Sequence, residues 1–68
     1  MKISARNQLK GTVVDIKEGA VNAIVTIDIG GNKVVSDITL DSVKNLGLEV
    51  GKEAYAVIKA TSVMVAVD

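Results

Sequence analysis

Neither cysteine nor histidine occurs anywhere in this chain, and at 68 residues that absence limits what it can fold into. A domain so short buries a modest share of its surface, and chains of this size usually need a disulfide, a structural metal or a second subunit. Without cysteine there is no disulfide framework, and without cysteine or histidine there is no zinc site. No proline is present to stiffen a loop either. Yet 49% of the residues are hydrophobic, almost all of them Val, Ile, Ala and Leu. That is more apolar side chain than so small a core easily hides. Apolar surface shared between copies is the staple that remains, so residues 1–68 are expected to form one domain of a homo-oligomer.

Val, Ile and Thr dominate the pattern, and β-branched residues prefer strands. Residues 9–17 read as a first strand. Residues 21–29 read as a second, with Ala23, Val25, Ile27 and Ile29 on one side and Asn22, Ile24, Thr26 and Asp28 on the other. Gly30-Gly31-Asn32 reads as a hairpin turn, because Gly and Asn tolerate positive φ. Residues 33–38 form the return strand. A short helix follows: Thr39 can cap its N-terminus, Asp41 suits the first turn, and Leu40, Val43 and Leu46 recur at a spacing of three. Gly47 stands where a left-handed C-terminal residue belongs, with Leu48 to close a Schellman-type end. Glu49-Val50-Gly51-Lys52 is a turn, residues 53–59 a strand, and residues 63–67 a last strand. The fold class expected is all-β: a five-stranded OB-like Greek-key barrel with one short helix between strands 3 and 4. An SH3-like barrel is the nearest competitor, but it usually lacks so clear a helical turn.

Composition excludes several functions. Eight basic and eight acidic residues are scattered to a net charge of zero, with no basic stripe. OB-folds that bind single strands stack bases on aromatics, and here Tyr55 is the one aromatic residue. A nucleic-acid partner is therefore not expected, and Tyr55 reads as a strand residue with its hydroxyl near the surface. No run approaches the ~18 apolar residues of a membrane span. Met1-Lys2-Ile3-Ser4 has no apolar stretch of signal-peptide length, so a cytoplasmic location is expected. The common general base and the common thiol nucleophile are both missing. Asp15, Asp28, Asp37 and Asp41 sit at positions that read as solvated, and Gly30-Gly31 lacks the rest of any phosphate-loop motif. The chain is expected not to be an enzyme.

What remains is a set of hydrogen-bond donors. Ser4-Ala5-Arg6-Asn7 places a hydroxyl, the only guanidinium and an amide within four residues. Lys59-Ala60-Thr61-Ser62 offers an ammonium and two hydroxyls, and Thr39 and Ser42 add donors at the helix N-terminus. Each has an ordinary explanation: a lone Arg is usually a surface residue, Lys59 fits a solvated strand end, and Ser42 fits a helix-surface hydroxyl. An anion site is one reading among these.

The stretch Ser4-Ala5-Arg6-Asn7-Gln8-Leu9-Lys10-Gly11-Thr12-Val13 resembles the opening signature of the molbindin (Mop) domain. The resemblance continues through Gly19-Ala20-Val21-Asn22-Ala23, Ile38-Thr39-Leu40-Asp41-Ser42-Val43, Leu46-Gly47-Leu48, Gly51-Lys52 and Ile58-Lys59-Ala60-Thr61-Ser62-Val63-Met64. It covers essentially the whole chain, in order and with matching gaps.

The resemblance implies an OB-like domain that binds molybdate or tungstate in the cytoplasm, with no organic cofactor. Single-domain members assemble as hexamers, each a trimer of dimers. Related domains form the sensing part of molybdate-responsive regulators and the tail of some molybdate-transport ATPases. With no DNA-binding or nucleotide-binding segment in this chain, molybdenum storage and homeostasis is the role implied. Carried over by motif, the oxyanion site combines Ser4, Ala5 and Arg6 of one subunit with Ser42, Lys59 and Ala60 of its neighbour, the alanines through backbone N–H. Thr61 is adjacent to the site and not a ligand. A second oxyanion site near a symmetry axis is carried over to Gly19, Ala20, Val21 and Asn22. A molybdate dianion only accepts hydrogen bonds, so a donor-only ligand set without Asp or Glu suits it. Two other readings stay beside storage: an oligomeric interaction module with incidental anion binding, and an OB-type nucleic-acid binder.

Overall fold

The computed structural model describes every residue, Met1–Asp68. It contains strands β1 (Asn7–Glu18), β2 (Asn22–Asp28), β3 (Lys33–Thr39) and β4 (Glu53–Ile58), helix α1 (Leu40–Leu46) between β3 and β4, and a 3-10 turn (Ala60–Ser62). All the strand pairings are antiparallel, and the sheet order is β3-β2-β1-β4. A meander of three strands with the fourth returning beside the first is a Greek key. No helix is long and apolar enough to cross a membrane.

β1 belongs to two ladders. Its first half pairs with β4, from Asn7↔Ile58 to Thr12↔Glu53, and its second half pairs with β2, from Thr12↔Asp28 to Glu18↔Ala23. A register shift between Val13 and Asp15 marks the bulge at which the strand bends. Gly11 sits beside this crossing. A Cβ there would run into the Asp28 carbonyl oxygen and come within 2.8 Å of Ile27 Cγ2, so the close approach of β1 and β2 needs glycine.

The core is small, as the length dictates. Val13, Ala23, Val25, Ile27, Val43 and Ala56 are buried, with Ile16, Ile29, Val34, Ile38, Leu40, Leu48 and Ala54 packed around them. Half of the buried set comes from the inward face of β2, where alternation in the sequence matches alternation in burial. The hairpin turns through Gly30 and Gly31 at φ 101° and 106°.

α1 begins and ends where its residues dictate. Ser42 N–H donates to Thr39 Oγ1 (3.0 Å), capping the N-terminus. Gly47 is left-handed (φ 64°), and Leu48 N–H donates to the Val43 carbonyl (3.0 Å) in a Schellman end. The expected apolar stripe is only partly used. Val43 is buried, Leu40 is half-buried, and Leu46 is 69% exposed. With seven residues the helix ends before a third contact forms, and Leu48 takes up the packing instead.

The fifth strand expected over residues 63–67 is corrected. Ser62 N–H bonds the Lys59 carbonyl (2.9 Å) and Val63 N–H the Ala60 carbonyl (3.3 Å), and this tight turn sends the chain away from the sheet. Met64, Val65 and Val67 are 94%, 90% and 92% exposed, so the tail finds no sheet edge in its own chain. Strand propensity without a partner edge does not make a strand. The expected five-stranded barrel is therefore a four-stranded, curled sheet that stays open between β3 and β4.

Candidate functional site

The donors singled out in the sequence fall at two ends of the molecule. β1 and β4 are antiparallel, so the residues before β1 and those after β4 leave the ladder at the same end. Beyond the last rung, Asn7↔Ile58, lie Ser4, Ala5 and Arg6 on one side and Lys59 and Ala60 on the other. Two side-chain bonds hold this end. Asn7 Nδ2 donates to the Ile58 carbonyl (3.2 Å) and clamps the rung, and Gln8 Nε2 donates to the Ala5 carbonyl (3.0 Å) and holds the leading segment.

This end is rich in donors with nothing to donate to. The ion pairs of the chain are Lys10–Glu53 and Lys52–Glu49, both 3.3 Å and both elsewhere, so Arg6 and Lys59 have no carboxylate partner. No Asp or Glu occurs in residues 1–14 or 54–67. Ser4, Arg6, Lys59, Ala60 and Thr61 are exposed and Ala5 is half-buried. The first N–H groups of the 3-10 turn, those of Ala60 and Thr61, precede any carbonyl within the turn that could accept them. Two free cations, hydroxyls and backbone N–H groups without a nearby carboxylate favour an anion.

Ser42 lies at the other end. Leu40 N–H donates to the Val21 carbonyl (2.8 Å), so the first turn of α1 is tied to the loop between β1 and β2, beyond the Glu18↔Ala23 rung. The 12-residue β1 separates this region from the first, on the order of 35 Å along the strand before its bend. Here the donors are engaged with one another. Thr39 Oγ1–H donates to Ser42 Oγ (2.8 Å) while Thr39 Oγ1 accepts from Ser42 N–H. Gly19 N–H donates to the Asn22 carbonyl (2.7 Å), and Asn22 Nδ2 donates to the Asp37 carboxylate (3.1 Å). The loop Gly19, Ala20, Val21 and Asn22, carried over as a second oxyanion site, thus has two of its donors committed and a carboxylate beside it. Ser42 keeps its own hydroxyl proton free to donate outward. Thr39 was absent from the ligand set drawn from the motifs, although its spacing of three from Ser42 is what lets the two hydroxyls meet.

The carboxylate with a shifted pKa lies in neither region. Asp28, at the end of β2, accepts from Gly31 N–H (3.0 Å) and Gly30 N–H (2.9 Å), which hold its pKa below the ordinary 3.8, with help from the charge of Lys33. This is a hairpin lock. No cluster of His, Cys, Asp and Glu able to hold a cation is present.

The TOBE domain family model matches residues 3–65. A probable molybdenum-pterin-binding protein of Haemophilus influenzae is 71% identical over 100% of both chains. The chain belongs to the Mop-type TOBE domains. Among solved structures, this TOBE domain is similar to MopII of Clostridium pasteurianum, at 55% identity and a TM-score of 0.90, over 97% of this chain and 100% of that one. It is also similar to a molybdate-binding protein of Sporomusa ovata, at 44% identity and a TM-score of 0.91, over 97% and 98% of the two chains.

Proposed function

We propose that this TOBE domain is a cytoplasmic, non-catalytic molybdenum store that binds molybdate or tungstate between copies of itself in a homo-oligomer, a hexamer built as a trimer of dimers. The observation that carries the reading is the end of the β1–β4 ladder, where Arg6 and Lys59 stand free of any carboxylate among other donors. A tetrahedral dianion has oxygens that only accept, so it is matched by a ligand set that only donates. The names of its relatives, a molybdenum-pterin-binding protein and a molybdate-binding protein, support the choice of anion.

In this reading the ligands divide between copies according to the ends of the chain at which they stand. Ser4, Ala5, Arg6, Lys59 and Ala60 gather at one end of one chain, and Ser42 stands at the opposite end. That separation supports a site in which Ser42 comes from a different copy than the donors of the β1–β4 end. Anion binding then stabilises the assembly by mass action. The inorganic oxyanion fits this donor set better than a pterin, because a pterin ring calls for a stacking surface and the single aromatic, Tyr55, lies three rungs inside the ladder, opposite Lys10.

Equilibrium dialysis against labelled molybdate tests the reading. Retention should be competed by tungstate, less by sulfate because of its smaller size, and least by phosphate. Phosphate carries a proton near neutral pH that a donor-only site leaves unsatisfied, at about 1–3 kcal/mol. Displacement by phosphate as effective as by tungstate would refute the donor-only site.

A further inference from the structure

Two backbone carbonyls at the donor-rich end are gripped by side chains. Gln8 Nε2 donates to the Ala5 carbonyl (3.0 Å), and Asn7 Nδ2 donates to the Ile58 carbonyl (3.2 Å). The carbonyl of one residue and the N–H and Cα of the next share a single planar peptide unit. The unit held by Gln8 therefore ends at Cα of Arg6, and the unit held by Asn7 ends at Cα of Lys59. Each clamp fixes the plane from which one of the two free cations starts.

Lys59 is held from its other side as well. Its own carbonyl accepts from Ser62 N–H (2.9 Å), and its backbone is extended at φ −62° and ψ 139°. Arg6 lies between its clamp and the first rung of the ladder, Asn7↔Ile58. Asn7 and Gln8 are successive strand residues, so their side chains leave β1 on opposite faces. The bond from Gln8 is exposed, where water would serve the Ala5 carbonyl about as well, and fixing a Gln side chain costs rotamer entropy. What such a bond adds is position.

We infer that Asn7 and Gln8 are positioning residues that set the size selectivity of the oxyanion site without touching the anion. The inference rests on the reading of this end as that site and deepens it. Sulfate carries the charge of molybdate on a smaller tetrahedron, so donors spaced for molybdate reach it only through stretched, weakened hydrogen bonds. That penalty lasts only while the donors cannot close in. With a clamp released, its segment moves inward, and sulfate regains bonds while molybdate loses a preorganised ligand.

Gln8→Met and Asn7→Leu each remove the donating amide at nearly constant volume, and competition dialysis then compares sulfate with molybdate. The ratio of the sulfate to the molybdate dissociation constant should fall about 3- to 10-fold in each variant, the span of one net hydrogen bond. A role in stability alone would lower the amount of folded protein and leave that ratio where it is. Lys52→Met supplies the comparison, since it removes the bond from Lys52 Nζ to the Gly47 carbonyl (3.3 Å), outside the donor-rich end. It should lower the unfolding midpoint with the ratio unchanged. Gln8 is exposed, so Gln8→Met keeps the test decisive if Asn7→Leu does not fold. The parent ratio in the folded clamp variants, or an equal fall in Lys52→Met, overturns the inference. Arg6→Ala separates it from the reading on which it rests. If that variant retains molybdate as the parent does, the site lies elsewhere and both are overturned. If it loses molybdate while the clamp variants keep the parent ratio, the inference alone is overturned.

Discussion

The two polar ends of this domain are built from similar residues and do different things with them. At the α1 end, Thr39, Ser42, Gly19 and Asn22 spend most of their donors on each other and on Asp37, and the result is a fixed helix start and a fixed loop. At the β1–β4 end, Asn7 and Gln8 hold the backbone while the side chains of Ser4, Arg6 and Lys59 make no hydrogen bond or ion pair within the chain. A hydroxyl or an amide therefore does not mark a site by itself. Its unspent bonding capacity does, and that capacity becomes visible when the local partners are accounted for.

The difference predicts which substitutions alter binding and which alter stability. The largest effect is expected from Arg6→Ala, which removes a charge-assisted and potentially bidentate contact worth about 2–3 kcal/mol of anion binding. That corresponds to roughly 30- to 150-fold in affinity by titration calorimetry. Lys59→Ala should weaken binding in the same direction, and Lys44→Ala on the α1 surface should not. A Lys44 effect equal to theirs would put the site at the wrong end of the molecule.

Next in size is Gly11→Ala at the crossing that joins the two ends. The added methyl meets a backbone carbonyl that cannot swing aside, so a stability loss of about 1–3 kcal/mol is expected. Urea unfolding with an unchanged midpoint would show that β1 can shift without cost. Thr39→Ala should cost about 1 kcal/mol of stability through the lost cap. Ser42→Ala should cost less stability, because the Thr39 oxygen still accepts the backbone N–H of residue 42. If Ser42→Ala weakens molybdate binding while Thr39→Ala chiefly lowers the unfolding midpoint, the division of labour at the α1 end is confirmed.

The smallest effect belongs to Asp28. Its folded-state pKa lies below the ordinary value because Gly31 and Gly30 donate to the ionised carboxylate. Such a group contributes stability that is fully present above the unfolded pKa of about 3.9 and disappears as pH falls through the lower folded value. Asp28→Asn should therefore flatten the acid limb of the stability curve below about pH 4, with molybdate binding at neutral pH unchanged. An acid limb identical to that of the parent chain would show that the hairpin lock contributes nothing.

Local features were legible in the chain before its structure, and features that depend on distant partners were not. The alternation of Ala23, Val25 and Ile27, the Thr39 cap, the Gly47 terminus and the Gly30-Gly31-Asn32 turn each rest on a few neighbouring residues, and each is found in place. The tail over residues 63–67 has the composition of a strand, but whether it becomes one depends on reaching an edge, and its own 3-10 turn prevents that. Leu46 has helical spacing, yet whether it is buried depends on where the helix ends. For the candidate site, the residue types suggested donors for an anion. Grouping Ser4 and Arg6 with Lys59, and separating them from Ser42, required the β1–β4 register.

That register also bears on the order of assembly. Asn7 and Ile58, whose bond closes the donor-rich end, are 51 residues apart in sequence, whereas the β1–β2–β3 meander joins neighbours through short turns. Closing the longer loop costs more chain entropy, and contacts of high sequence separation are slow to form. The meander can form while β4 is still unplaced, but the end that gathers Arg6 and Lys59 cannot. In a nascent or partly opened chain the helix cap and the hairpin lock can therefore precede the donor-rich end, which is complete only when β4 pairs with β1.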